Sequence, residues 1–397
     1  MLNSTVSSRA SQVKTLSAQS DICSLLSTLA TPSYVIDESR LEKNLQILAY
    51  IQQKSQADIL LALKAFSNSC TFDLVKKYLK GVTASSLHEC QLASKKFKHS
   101  LHVYAPAYKA SEFQEIQSLA SHIVFNSVSQ WQHFKAETDT SRVSCGLRIN
   151  PEYSEVRQAM YNPCAKESRF GIKYDQLKSC DLSGISGFHF HALCQQNADV
   201  LERVWRHVEA RFGPYLHKLK WINLGGGHFI TKPGYKIDLL INLLNEIREK
   251  YQIKVILEPG EAVAYDAGYL SASVLDVSET DSPFVILDSS ATAHMPDVLE
   301  MPYRPHIFNA ALPGQKAYTY QLGGVTCLSG DVFGRYSFDQ PLKVNDRIIF
   351  SDMAAYTMVK NTTFNGIGLP SIYLLKKNEH IKLIKRFGYK DFANRVS

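Results

Sequence analysis

A chain of 397 residues that is 45% hydrophobic and 20% charged carries enough apolar material for a large buried core in about two domains, and is too apolar for a disordered chain. Its formal charge of +7 is dispersed, and the densest cluster, Lys95-Lys96-Phe97-Lys98, lacks the aromatic interleaving of a nucleic-acid groove and reads as a solvated face. Eight cysteines without a CxxC pair argue against a zinc site or a disulfide framework and fit reduced cytoplasmic thiols; no apolar run reaches the length of a membrane span, and the N-terminus lacks the compact apolar core of a signal peptide.

Residues 1–30 are Ser-rich and weakly patterned, an N-terminal extension. Thr31–Asp37 reads as a short strand, followed by an amphipathic helix with Leu41, Leu45, Leu48 and Ile51 on one face. A regular alternation then begins. Strands are expected at Leu60–Phe66, Gly81–Ala84, His102–Ala105, His122–Asn126, Val143–Ile149, Gly187–His191, Trp221–Leu224 and Lys254–Leu257, with helix-patterned segments between them. Eight such units predict an α/β fold in which residues 31–270 form a (β/α)₈ barrel with its leading strand and helix, the site lying at the C-terminal strand ends. From Ser271 the pattern changes to short β runs without helical spacers, so 271–397 is expected to be a C-terminal antiparallel β domain.

The strand ends carry Lys64, Ser85, Asn126, Arg148, His191, Gly225-Gly226-Gly227 and Glu258, polar residues or glycines where packing needs only apolar ones. Lys64 ends an almost unbroken apolar run, where burial lowers an ammonium's pKa and suits a Schiff-base nucleophile towards an aldehyde such as pyridoxal phosphate. A lysine snorkelling from a strand end is the ordinary alternative. Three glycines after strand seven free backbone N–H groups to close on a phosphate, although a flexible turn would use them equally. Glu258 is placed to hold a pyridine nitrogen protonated, or to form a structural salt bridge. In Phe188-His189-Phe190-His191 the histidines share one strand face; without a third ligand at a telling spacing no metal is expected, His191 reads as a ring stacked on a flat cofactor, and His189 as packing inside the barrel.

From Thr31 onward the chain resembles the fold-type III pyridoxal-phosphate decarboxylases, the group of ornithine, diaminopimelate and carboxynorspermidine decarboxylases. The resemblance places the Schiff-base lysine on Lys64, the ring-stacking histidine on His191, the phosphate glycines on Gly225, Gly226 and Gly227, and the pyridine-nitrogen carboxylate on Glu258, with Arg148 a further contact to pyridoxal 5'-phosphate. Gly324–Asp331 resembles the loop whose cysteine, here Cys327, reaches the partner subunit's site as the catalytic proton donor in a homodimer, and Tyr356 resembles the tyrosine that closes on the phosphate. Glu261 stands where ornithine and diaminopimelate decarboxylases have an arginine, and Leu328 where ornithine decarboxylase has an aspartate; Ala62–Phe66 and Glu261 resemble the carboxynorspermidine branch. That branch implies a carboxylated polyamine substrate, carboxynorspermidine or carboxyspermidine, whose amines call for carboxylates, with Asp288, Glu300 and Asp331 as candidates. A diaminopimelate decarboxylase would instead need a cation such as Arg304. A racemase would normally set an arginine against the ring nitrogen, and a single-barrel cofactor carrier would lack the β domain.

Overall fold

The computed structural model of the chain describes residues 20–178, 180–278 and 280–397, which form two compact units. One consists of the described residues up to Arg40 together with Asp266–Ser397, the other of Leu41–Tyr265. Strand β1 (Ser33–Asp37) is buried along its whole length and belongs to the first unit, not to the barrel where the sequence placed it. Five buried residues without alternation fit either kind of sheet, and periodicity cannot name the partner. Most of the Ser-rich extension lies outside the described residues; within them, Leu26 is fully buried beside Val35 and Tyr269.

Helix α1 (Glu38–Ser55) buries Leu41, Leu45, Leu48 and Ile51, the predicted face. The second unit is a closed parallel barrel of eight strands: β2 (Asp58–Ala62), β3 (Gly81–Ala84), β4 (Ser100–Tyr104), β5 (His122–Phe125), β6 (Ser144–Arg148), β7 (Ile185–His189), β8 (Trp221–Asn223) and β9 (Lys254–Leu257). All eight predicted strands are present. The helical layer is uneven: α2 (Ala198–Leu216) and α3 (Ile237–Tyr251) are long, whereas β6 is followed by an irregular stretch with one 3₁₀ turn before the short helix Tyr174–Leu177.

The barrel interior is filled rather than hollow. Trp221 packs with Leu60, Val124 and Ile256, and its indole donates to Ser144 Oγ at 2.8 Å. It lies where side chains of β6 and β7 would otherwise meet: a Cβ on Gly146 would come within 2.3 Å of its ring, and one on Gly187 within 2.0 Å. Those two glycines give their volume to the indole.

In the first unit, β10 (Gly268–Ser278) pairs through its first half with β1 and with β14 (Arg347–Ser351), then passes a bulge at Val274/Asp276 and pairs with β11 (Phe284–Leu287). β12 (Tyr318–Gly323) and β13 (Val332–Phe338) extend one side, β15 (Ser371–Leu375) and β16 (Ile381–Lys385) the other. The pairing is mostly antiparallel, as expected, but β1·β15 and β11·β12 run parallel. No helix among the described residues is long and apolar enough to cross a membrane.

Beneath the strand ends the barrel carries a stacked histidine pair, His102 and His122, with ring centroids 3.8 Å apart. Burial is the largest cause holding both imidazoles down, aided by His122 acting on His102 and Lys254 acting on His122, against the opposing charges of Glu258 and Asp58; His102 falls well below the usual range and His122 to about 4. The fold therefore favours neutral rings. Because the unfolded chain binds these protons near 6.5, stability is fully present above that pH and is lost as pH falls towards 4, by up to roughly 3 kcal/mol for His122. The melting temperature of wild type should drop from pH 7 to 4.5 more steeply than that of His122→Gln; parallel curves would show that this pair does not govern acid stability.

Candidate active site

A small cavity opens at the C-terminal strand ends, lined by Ala62, Lys64, Thr83, Ser85, Tyr104, Arg148, His189, His191 and Glu258. β2 stops at Ala62, short of the predicted Phe66, and Ala65 and Phe66 donate their N–H groups back to Ala62 O at 3.1 and 3.4 Å. This tight turn buries Leu63, Ala65 and Phe66 completely and sends Lys64 into the cavity. A Cβ on Gly260 would lie 2.5 Å from Ala65 Cβ, so the glycine of Glu258-Pro259-Gly260 is needed to let the lysine turn pack. The Lys64 side chain is wetted at the cavity yet surrounded by protein; desolvation first and the neighbouring Arg148 charge second lower its pKa against the pull of Glu258 and Glu89.

Glu258 follows β9 and receives a hydrogen bond from Asn223 Nδ2 at 2.6 Å, with His189 Nε2 at 3.4 Å. Burial would raise its carboxyl, but His189 and Asn223 outweigh that and hold it at about 2. Burial keeps His189 below its usual value despite Glu258, so at neutral pH its ring is uncharged and the Asn223 bond is the lasting support of the anion. His189, expected only to pack, is buried but also lines the cavity, and at 3.4 Å its Glu258 contact does not satisfy either ring nitrogen. Asn223 is a residue the sequence reading missed. It lies two residues after Trp221, so β8's alternation already pointed it inward.

The glycine turn is held by close approach as well as by backbone freedom. Gly225 and Gly227 have φ of +71° and +83°, and a Cβ on Gly226 would sit 2.3 Å from Glu258 O. Two of the three N–H groups expected to face an anion bond within the protein, Gly225 to Asn223 Oδ1 at 2.9 Å and Gly226 to His191 Nδ1 at 3.1 Å. Because His191 Nδ1 accepts and burial keeps the ring neutral, its proton sits on Nε2. Asn223 thus ties the carboxylate end of the site to the glycine turn. Arg148 is buried in the cavity wall between Tyr104 and Phe170, its Cζ 4.6 and 4.5 Å from the two ring centres. Tyr104 was also missed, although β4's period of two places it on the inward face with His102.

The remaining predicted residues lie in the sheet unit. Cys327 is exposed, its N–H bound to Asn365 Oδ1 at 2.8 Å, and Val325 and Leu328 beside it are exposed too. Tyr356 has φ +52°, a left-handed conformation that costs a tyrosine of order 1–3 kcal/mol and persists where surroundings impose it. Each of the four substrate candidates has partners within its own unit. Asp331 is buried and accepts from Ser290 Oγ, Thr292 N, Thr326 N and Thr326 Oγ1 at 3.0, 3.1, 3.2 and 2.6 Å, which fills both oxygens. Asp288 accepts from Thr31 Oγ1 and Ser273 N, Glu300 pairs with Lys360, and Arg304 stacks on Tyr336 while donating to the Ala311 and Arg335 carbonyls. Among the described residues no cluster fit to hold a metal ion occurs.

Residues 33–354 match the family model described as the C-terminal sheet domain of pyridoxal-dependent decarboxylases, and the chain belongs to that family. It is 44% identical to the carboxynorspermidine/carboxyspermidine decarboxylase of Campylobacter jejuni over 92% of this chain and 98% of that protein. It is equally 44% identical to the carboxyaminopropylagmatine decarboxylase of Synechocystis, over 94% of this chain and 96% of that one. The crystal structure of the Campylobacter jejuni carboxynorspermidine decarboxylase complexed with norspermidine superposes with a TM-score of 0.88 at 43% identity, covering 92% of this chain and all of that one.

Glu258→Gln keeps the shape of the carboxylate but removes its charge. Decarboxylation should slow by about 100-fold or more while pyridoxal phosphate still binds. Wild-type kcat in this variant would make Glu258 structural.

Proposed function

We propose that the protein removes CO₂ from a carboxylated polyamine, carboxynorspermidine or carboxyspermidine, with pyridoxal 5'-phosphate held in the barrel cavity. The observation that carries this reading is one cavity joining a lysine of depressed pKa, a carboxylate held ionised and a buried arginine, in a chain of this family and these relatives. The residues fit the cofactor chemically: both ring nitrogens of His189 lack hydrogen-bond partners at the cavity wall, and the turn at Gly225–Gly227 admits no side chain at Gly226. Lys64, His191, Glu258 and Arg148 would hold it, with Gly227 and Tyr356 as candidates at the phosphate.

When bound, the cofactor supplies an electron sink for the pair released as the carboxylate leaves as CO₂. The chain's residues prepare that step. The lowered pKa of Lys64 enlarges its neutral, nucleophilic fraction at neutral pH. Glu258 stays anionic throughout the working pH range and keeps a ring nitrogen's proton in place, while Asn223 prevents it from turning away. The carbon that loses CO₂ must regain one proton. Cys327 Sγ is the proposed donor, and its exposed loop suits a homodimer in which each sheet unit completes the partner's barrel site.

A diaminopimelate substrate is disfavoured, because the arginine that would answer its second carboxylate, Arg304, is bound to two carbonyls and a tyrosine ring. The equal identity to the Synechocystis protein supports a second reading, a substrate ending in the guanidinium of agmatine. CO₂ release by purified protein with pyridoxal phosphate should be highest with one of these three carboxylated polyamines and negligible with diaminopimelate, ornithine or lysine. Preferred turnover of an amino acid from the second group would overturn the proposal.

The shared site has its own test. Lys64→Ala and Cys327→Ala homodimers should each be nearly inactive, whereas mixed and re-formed dimers should recover activity at about a quarter of all sites. Confirmed heterodimers no more active than the parents would refute donation of Cys327 across a dimer.

A further inference from the structure

Asn126, immediately after β5, joins Tyr104 of the cavity wall to the segment Arg169–Gly171 through one side-chain amide. Its Oδ1 accepts from Tyr104 Oη at 2.8 Å and from Gly171 N at 2.9 Å, and its Nδ2 donates to the Arg169 carbonyl at 2.8 Å. Tyr104 comes from β4, whereas Arg169–Ile172 is the end of the irregular segment that left the barrel after β6. That segment returns to the strand end as an isolated bridge, Ile149↔Ile172, with Ile172 N on Arg148 O at 2.8 Å. Gly171 makes the return possible: its φ is +78°, and a Cβ would lie 2.9 Å from the Ile149 carbonyl carbon.

Both sides of that link meet Arg148. Its guanidinium lies over the Tyr104 and Phe170 rings, and its Nη2 donates to His191 O at 3.2 Å. The ring contacts and the carbonyl restrain the guanidinium, which lines the cavity together with Lys64. Arg148 itself makes no hydrogen bond to Asn126 among the described residues; it depends on Asn126 for the spacing of the two rings. We propose that Asn126 is a positioning residue that aims the Arg148 guanidinium into the cavity by pinning Tyr104 and Phe170 on either side of it.

This rests on the reading of the cavity as the cofactor site and adds to it a residue that touches neither cofactor nor substrate. Asn126 is more than a loop anchor, because its two accepted hydrogen bonds come from separate elements that each set an aromatic ring against Arg148. Loss of the amide lets the rings part and the guanidinium tilt, and displacements of about 1 Å at a reacting site cost up to about 100-fold in rate.

The test is a double-mutant cycle in the full-length holoenzyme, with Asn126→Ala and Arg148→Met, reading kcat/KM for the preferred carboxylated polyamine and the dissociation constant for pyridoxal phosphate by equilibrium dialysis. Asn126→Ala should lower kcat/KM by about 10- to 100-fold and weaken cofactor binding several-fold, yet change each less than about twofold when Arg148 is already Met. Asn126→Asp keeps the acceptor for Tyr104 and Gly171 while setting a second oxygen against the Arg169 carbonyl, so it should fall between wild type and Asn126→Ala and supplies the measurement if the alanine variant does not fold. Equal losses in both backgrounds overturn the proposal, as does an Arg148→Met enzyme with wild-type kinetics and cofactor affinity. Failure of the decarboxylase reading would appear separately, as absence of CO₂ release from the wild-type protein.

Discussion

Two cations, Lys64 and Arg148, face one cavity with a single strongly ionised carboxylate, Glu258. Burial lowers the pKa of both side chains, and the Arg148 charge lowers that of Lys64 further. Arginine resists that push and lysine yields to it. The surrounding structure follows from the difference. The guanidinium is enclosed by two aromatic faces and a carbonyl, while the lysine is set on a tight turn at the open cavity, where a partly neutral amine has room to react. The excess positive charge leaves the cavity suited to anions, a phosphorylated cofactor and a substrate carboxylate among them.

The support for Glu258 is of a different kind. A buried carboxylate beside neutral imidazoles shares its cavity with the Lys64 and Arg148 cations, and its ionisation depends on hydrogen bonding as well as on those charges. Asn223 meets that need from below, and its other end holds the glycine turn. The two ends of a flat ligand would thus be referenced to one side chain, which keeps their separation constant.

Much of this was legible in the chain because parallel barrel strands are buried on both faces and end at a common rim. A polar residue at the end of an apolar run stands out, so Lys64, Arg148, His191 and Glu258 could be picked before their neighbours were known. Tyr104 and Asn223 were passed over for the opposite reason: an aromatic and an amide inside a strand resemble ordinary packing until the period of two is followed along β4 and β8. The partners of the acidic candidates in the sheet unit could not be read from the chain. Asp288 meets Thr31 across 257 positions of sequence, and four donors from two segments, residues 290–292 and Thr326, converge on Asp331, contacts that no alternation of residues announces. The pairing of β1 was hidden likewise, since its neighbours β10 and β15 lie far along the chain.

The indole of Trp221, lodged on Gly146 and Gly187, fills the barrel interior with side chain. Under the proposed function, a substrate whose reacting end lies at the strand ends therefore has no packing space along the barrel axis, and the rest of the molecule extends away from the barrel core. The chemical chamber then reads the head of the molecule, and selection for its length falls to residues outside the barrel core.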